Sequence, residues 1–127
     1  MLTENDIQRI VGRVVSGYGP LVVGTFGSYA VGMARPSSDL DLFAIKATRE
    51  PASARRRAVR RLLFGVMHPL DLHVFTPDEF QGAVDEELSF EWVIARQARI
   101  YYWSAEAERF VPSLAARLPR GGASPSP

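Results

Sequence analysis

Gly27-Ser28-Tyr29-Ala30-Val31-Gly32-Met33-Ala34-Arg35-Pro36-Ser37-Ser38-Asp39-Leu40-Asp41-Leu42 is the stretch on which the fold of this 127-residue chain turns. An apolar run, Leu21-Val22-Val23, leads into it and reads as a strand; a second apolar run leads out of it. Side chains along a strand alternate between its two faces. Asp39 and Asp41 therefore share one face, while Leu40 and Leu42 point into a core. Two carboxylates side by side repel unless something positive sits between them. Mg²⁺ suits that place, because it takes a few carboxylates together with substrate phosphates. The Gly27-Ser28 turn adds backbone N–H groups and a hydroxyl ahead of a short helix, a setting that favours an anion. A phosphate cradle beside a pair of metal-binding acids points to nucleotide chemistry.

Upstream, Thr3-Glu4-Asn5-Asp6 has the hydroxyl and the acid three residues on that cap a helix. Ile7, Ile10, Val11, Val14 and Val15 follow at helical spacing. Gly17-Tyr18-Gly19-Pro20 ends that helix, and Leu21 to Phe26 is the first strand. Gly24 inside it marks a bulge or a close backbone approach. Downstream, Asp39 to Lys46 is the second strand, and Pro51 is placed to start a helix. Ala58, Val59, Leu62, Leu63 and Val66 form its apolar stripe; Arg55, Arg56, Arg57, Arg60 and Arg61 fill the remaining faces as a solvated surface. Contact of these arginines with an acidic partner or RNA is the sharper reading, and it ranks below the solvated one.

Leu70, Leu72 and Val74 alternate with Asp71 and His73, which gives a third strand. Thr76-Pro77-Asp78-Glu79 starts a helix predicted to run to Glu87. A second helix is predicted over Ser89 to Ala98, then a short strand from Ile100 to Trp103. Residues 104–118 are helical in pattern, with a break at Pro112. The Pro-, Gly- and Ser-rich residues 119–127 read as a disordered tail, leaving one domain over 1–118.

Composition narrows the function classes. Net charge is +1, which argues neither for nor against nucleic acid. The absence of cysteine removes disulfides, thiol catalysis and thiolate zinc sites together. Two histidines make a histidine-built metal centre a poor fit. The polar, acidic N-terminus does not read as a signal peptide. No apolar run approaches the ~20 residues of a membrane span. A cytoplasmic protein with no membrane association is the expectation.

Asp71 supplies a third carboxylate, with Leu70 and Leu72 on the opposite face of its strand. Pairing of that strand beside Asp39-Leu40-Asp41 would bring it to the same cluster. Three carboxylates can hold two Mg²⁺ ions about 3.5–4 Å apart. His73 shares the face of Asp71 and reads as a neighbour of the site without a part in its chemistry. Gly24 and Gly32 read as backbone permissiveness, and Trp92 and Trp103 as core or interface anchors.

Gly27-Ser28, ten intervening residues, Asp39-Leu40-Asp41 and the later Asp71 together resemble the DNA polymerase beta-like nucleotidyltransferase superfamily. Within it the short chain is similar to minimal nucleotidyltransferase (MNT) domains, commonly antitoxins encoded beside HEPN-domain ribonuclease toxins. The resemblance covers roughly the first hundred residues, including the helix-then-strand segment from Phe90 to Tyr102. It implies an α/β (α+β) fold with a small mixed sheet and helices mainly on one face. It implies that Gly27 and Ser28 bind nucleotide phosphates and that Asp39, Asp41 and Asp71 are the metal-binding catalytic acids. It implies Mg²⁺ as cofactor, ATP as substrate, and transfer of AMP to a hydroxyl, a tyrosine of a HEPN toxin. A contact-only antitoxin and a small-molecule nucleotidyltransferase of the aminoglycoside-modifying kind are the alternatives; the latter usually carries an extra helical domain. One departure stands out: many relatives carry Arg between the Ala and Gly of the loop, where this chain has Val31. That position loses a phosphate contact, and Arg35 is the remaining loop arginine.

Overall fold

The structure, a computed structural model, describes residues 1–118, so the expected tail at 119–127 lies outside the described residues. Helix α1 (Glu4–Tyr18) begins where the sequence places it. Thr3 Oγ1 accepts from the Asp6 N–H at 3.1 Å, and the Asp6 carboxylate accepts from the Thr3 N–H at 2.8 Å. At its other end Gly19 takes the left-handed conformation, φ 67°, and donates to the Val15 carbonyl. Then come β1 (Val22–Phe26), a single 3₁₀ turn at Gly27–Tyr29, β2 (Leu40–Ile45), α2 (Ala52–Leu62) and β3 (Leu70–Phe75). The chain closes with α3 (Pro77–Ala83), α4 (Phe90–Gln97), β4 (Arg99–Trp103), α5 (Ala107–Phe110) and a 3₁₀ segment over Pro112–Arg117. The helix predicted to reach Glu87 stops four residues short, and the last helical stretch divides at Pro112 as expected.

The four strands form one sheet in the order β3-β2-β1-β4. β1 is antiparallel to both neighbours, while β2 and β3 are parallel with α2 as the crossover between them. The sheet is thus mixed and the fold α+β. Gly24 sits at a register shift between β1 and β4. A Cβ there would come within 2.6 Å of the Arg99 carbonyl and 2.7 Å of the Phe43 ring, so the close-approach reading holds.

The two longest helices, α1 and α2, share one face of the sheet. They bury Ile7, Ile10, Val14 and Val59 against Val23, Leu40, Leu42, Ala44, Leu72 and Val74. Helices are not confined to that face, however. Val22, Phe26, Phe43 and Ile45 point the other way and pack against Phe80, Ile94, Val111 and Leu114 of the C-terminal segments. The central strands are apolar on both faces, so each face needs a cover. No helix among the described residues is long and apolar enough to cross a membrane.

One arginine departs from the solvated face expected of α2. Arg55 is 3% exposed. Its guanidinium donates to both carboxylate oxygens of Glu79 at 2.8 Å, to the Val74 carbonyl at 2.7 Å and to the Glu50 carbonyl at 2.9 Å. Glu79 also accepts from the Thr76 N–H at 3.0 Å and so completes the cap of α3. A buried charge is tolerated when it is paired and hydrogen-bonded throughout. Here that pairing fastens α2, the end of β3 and the start of α3 together.

Candidate active site

β2 and β3 run parallel with Asp41 directly opposite Asp71. Their neighbours Leu40, Leu42 and Leu72 are buried on the α1–α2 face, which forces both carboxylates onto the other. On the far side of Asp41, β1 ends at Phe26, its register partner, and the chain turns through Gly27 at φ 70°. A Cβ at Gly27 would land on the Asp41 carboxylate oxygen. Glycine is therefore required there twice, for the left-handed backbone and for the space the carboxylate fills. The Gly27 carbonyl accepts from the N–H groups of Ala30 and Val31 at 3.0 and 3.2 Å, which closes the short turn carrying Ser28.

The electrostatics follow from this crowding. Asp41 is pushed up to about 6, first by burial, then by the charge of Asp71 and by a hydrogen bond between the two carboxyls. Asp39 is exposed just before β2, and its charge raises Asp41 further. His73 pulls the other way. Its Nε2 lies 3.2 Å from Asp71 Oδ2, near enough to feel the charge, yet the geometry is off-line and Nε2 is left buried without a hydrogen-bond partner. The ring packs between Phe26, at 5.3 Å between centroids, and Phe90, at 4.3 Å.

The structure thus brings Gly27, Asp41 and Asp71 into direct apposition, with Ser28 beside them. Asp39 is exposed just before β2. Among the described residues no group of three or more acids or histidines closes into a ready ligand cluster. A like-charge pair set in register is nevertheless a donor set suited to a divalent cation. Mg²⁺ keeps several waters and is commonly held by one or two carboxylates together with substrate phosphates. His73 is more closely tied to the site than its sequence reading allowed. Its alternation with Asp71 was the available signal, but the aromatic rings around it come from β1, β3 and α4 and leave no local pattern.

Residues 7–102 match the family model described as the nucleotidyltransferase domain. The chain belongs to that family. Solved structures similar to it include a toxin–antitoxin with AMP-PNP, at 18% identity and a TM-score of 0.60, covering 91% of this chain and 86% of that one. The toxin–antitoxin MntA–HpeT in a double aspartate-to-glutamate variant follows at 17% identity and a TM-score of 0.59, with the same coverage. A candidate nucleotidyltransferase from Sulfolobus solfataricus is 22% identical, with a TM-score of 0.55 and 80% of each chain covered. At such identity the likeness is one of fold. Among curated proteins, no sequence matches.

Proposed function

We propose that this nucleotidyltransferase domain transfers AMP from ATP to a hydroxyl, a tyrosine of a HEPN-domain toxin, and acts as the antitoxin of the pair. The observation that carries the reading is the Asp41–Asp71 pair, in register and set against Gly27. The toxin–antitoxin relatives of similar fold, one with AMP-PNP, support the partner class and the nucleotide. Asp41 and Asp71, with exposed Asp39 before β2, would hold Mg²⁺, which supplies charge neutralisation at the phosphates and a lowered pKa for an attacking hydroxyl. Gly27 and Ser28 would receive the phosphates through backbone N–H groups and the hydroxyl. Asp71, the more exposed carboxylate of the pair, takes the acceptor's proton. The acceptor oxygen forms its bond to the α-phosphorus, the bond to the β-phosphate oxygen breaks, and pyrophosphate leaves with the electron pair.

A contact-only antitoxin is favoured by one feature: Val31 is an exposed apolar side chain in the loop where, by the family resemblance, many members carry arginine. The two readings separate when the purified protein is incubated with the product of the adjacent gene, Mg²⁺ and ATP, and that product is weighed intact. Transfer is an added AMP mass that disappears with Asp41→Asn or Asp71→Asn. An unchanged mass, with the partner's activity still blocked by wild type and Asp71→Asn alike, establishes the contact reading. No modification and no interaction would return the acceptor to small molecules.

A further inference from the structure

The chain between α2 and β3 makes a corner unlike the rest of the surface. Phe64 is 86% exposed and Met67 96%, the most exposed apolar side chains among the described residues. Neither dangles from a loose loop. Arg13 on α1 donates to the Phe64 carbonyl at 2.8 Å, Gly65 turns the backbone at φ 92°, and His68 Nε2 lies 2.9 Å from the Ser38 carbonyl. The corner is thus held in shape while presenting two large apolar groups to water. Exposed apolar groups in a fixed frame mark interaction sites.

The surroundings are basic. Arg57, Arg60 and Arg61 line a groove with Phe64. Arg9 and Arg13 line a second groove, of about 510 Å³, that runs beside Met67. The one acid along these grooves among the described residues is Asp6, whose carboxylate is engaged in capping α1. Phenylalanine, methionine and arginine are the residue types enriched at protein interfaces. The basic side chains along these grooves are chiefly arginine, whose planar fork suits carboxylates. A second copy of this corner would bring arginines against arginines. A ridge between grooves suits side chains of a folded partner better than the smooth face of a bilayer.

We propose that the 64–68 corner and its arginine rim form a docking surface for an acidic protein segment, an amphipathic helix with apolar and carboxylate faces. The corner is linked along the chain to the candidate site, since the Ser38 carbonyl that meets His68 immediately precedes Asp39. The inference rests on exposed side chains and stands whether or not the domain transfers AMP.

The test uses the full chain, without nucleotide or metal. The probe is a fluorescent amphipathic peptide of about 18 residues with leucine and phenylalanine on one face and glutamate on the other. We expect saturable binding at low salt that weakens about tenfold on raising salt to ~0.5 M. Phe64→Ser with Met67→Ser should weaken it at least about tenfold. Arg57→Gln with Arg60→Gln and Arg61→Gln should weaken it and flatten the salt dependence. All these side chains are exposed, so unchanged thermal unfolding is the expected control. Absence of binding, equal binding of a lysine-faced peptide, or binding indifferent to these substitutions overturns the proposal. So does tighter binding of single-stranded RNA or anionic vesicles to the same corner, or concentration-dependent dimerisation lost with Phe64 and Met67. Repeating the titration with Asp71→Asn keeps this result separate from that of the transfer assay.

Discussion

Two charged pairs sit near opposite ends of β3 and obey opposite rules. Towards its end, buried Arg55 meets Glu79 through two 2.8 Å bonds and gives two further donors to backbone carbonyls. Near its start, Asp71 faces Asp41, two acids in register with Asp39 adding to the repulsion. The first pair holds three elements together and leaves little for a ligand to complete. The second is incomplete on its own and becomes favourable when something positive arrives. Stored electrostatic tension of that kind concentrates at functional sites, and it separates the two pairs more clearly than burial or distance does.

The comparison breaks most visibly when the satisfied pair is opened. Arg55→Ala strands the Glu79 carboxylate and two carbonyls and leaves a gap beneath α2. Removing one partner of a buried pair costs about 3–5 kcal/mol. Glu79 is half exposed and can regain water, so about 3 kcal/mol is expected, read as a lower urea midpoint with an unchanged slope. A loss below ~1 kcal/mol would mean the pair holds nothing together. The pH dependence has a definite sign. The Arg55 hydrogen bond holds Glu79 below the usual carboxylate range. Its contribution is present at neutral pH and is lost as pH falls through that lowered value. In Arg55→Ala that acid-side loss should shrink.

The opposite pair should respond with the opposite sign. Asp41 is raised from its ordinary value near 3.8 to about 6. The folded state therefore holds a proton that the unfolded chain releases, and stability falls as pH rises from about 4 through 6. For a buried group the shift would be about 3 kcal/mol, but solvent screening of this half-exposed carboxylate brings the figure to about 1 kcal/mol. Asp41→Asn should accordingly raise the melting temperature of the metal-free protein at pH 8 by about 3–5 °C and leave it unchanged at pH 4. In the presence of ATP, Mg²⁺ should stabilise wild type above pH 6 and fail to stabilise Asp39→Asn with Asp41→Asn. A melting temperature that drops in Asp41→Asn at pH 8 would place Asp41 among the structural acids with Glu79.

Much of this contrast was legible in the sequence on one side only. Asp39, Asp41 and Asp71 declare their shared face through strict alternation with Leu40, Leu42, Leu70 and Leu72. The pairing of the third strand beside the second was left as a condition, and its parallel register, with α2 as the crossover, is what sets Asp41 against Asp71. Arg55 was hidden because charge was read as exposure. Its position four residues before Val59 and eight before Leu63 aligns it with the buried stripe, but its partner Glu79 lies 24 residues away. The second layer of helices was similarly hard to read. Short segments carry little periodicity, and the apolar side chains of β1 and β2 that require this cover face it from distant strands. The exposed corner at Phe64 and Met67 was invisible for a related reason, since helical spacing marks only what is buried.

Ser28 gives the smallest and sharpest test, because it is proposed for the site while contributing little to the frame. The turn around it is closed by backbone groups: the Ser28 carbonyl accepts from the Met33 N–H at 2.9 Å, and the Gly27 carbonyl accepts from Ala30 and Val31. None of these bonds uses the hydroxyl, so Ser28→Ala leaves them in place. A surface change away from structural features usually stays within about 0.5 kcal/mol, and the melting temperature of the free protein should move by no more than ~2 °C. A hydroxyl donating to a phosphate oxygen is a hydrogen bond to a charged group, worth about 1.5–3 kcal/mol, so ATP affinity in Mg²⁺ should fall about tenfold or more by calorimetry. Gly27→Ala is the natural companion, since its Cβ would strike the Asp41 carboxylate and should reduce both stability and affinity. If Ser28→Ala instead lowers the melting temperature and leaves ATP affinity intact, the hydroxyl belongs with the frame that Arg55 and Glu79 represent. The phosphate contacts would then be left to the backbone of the turn.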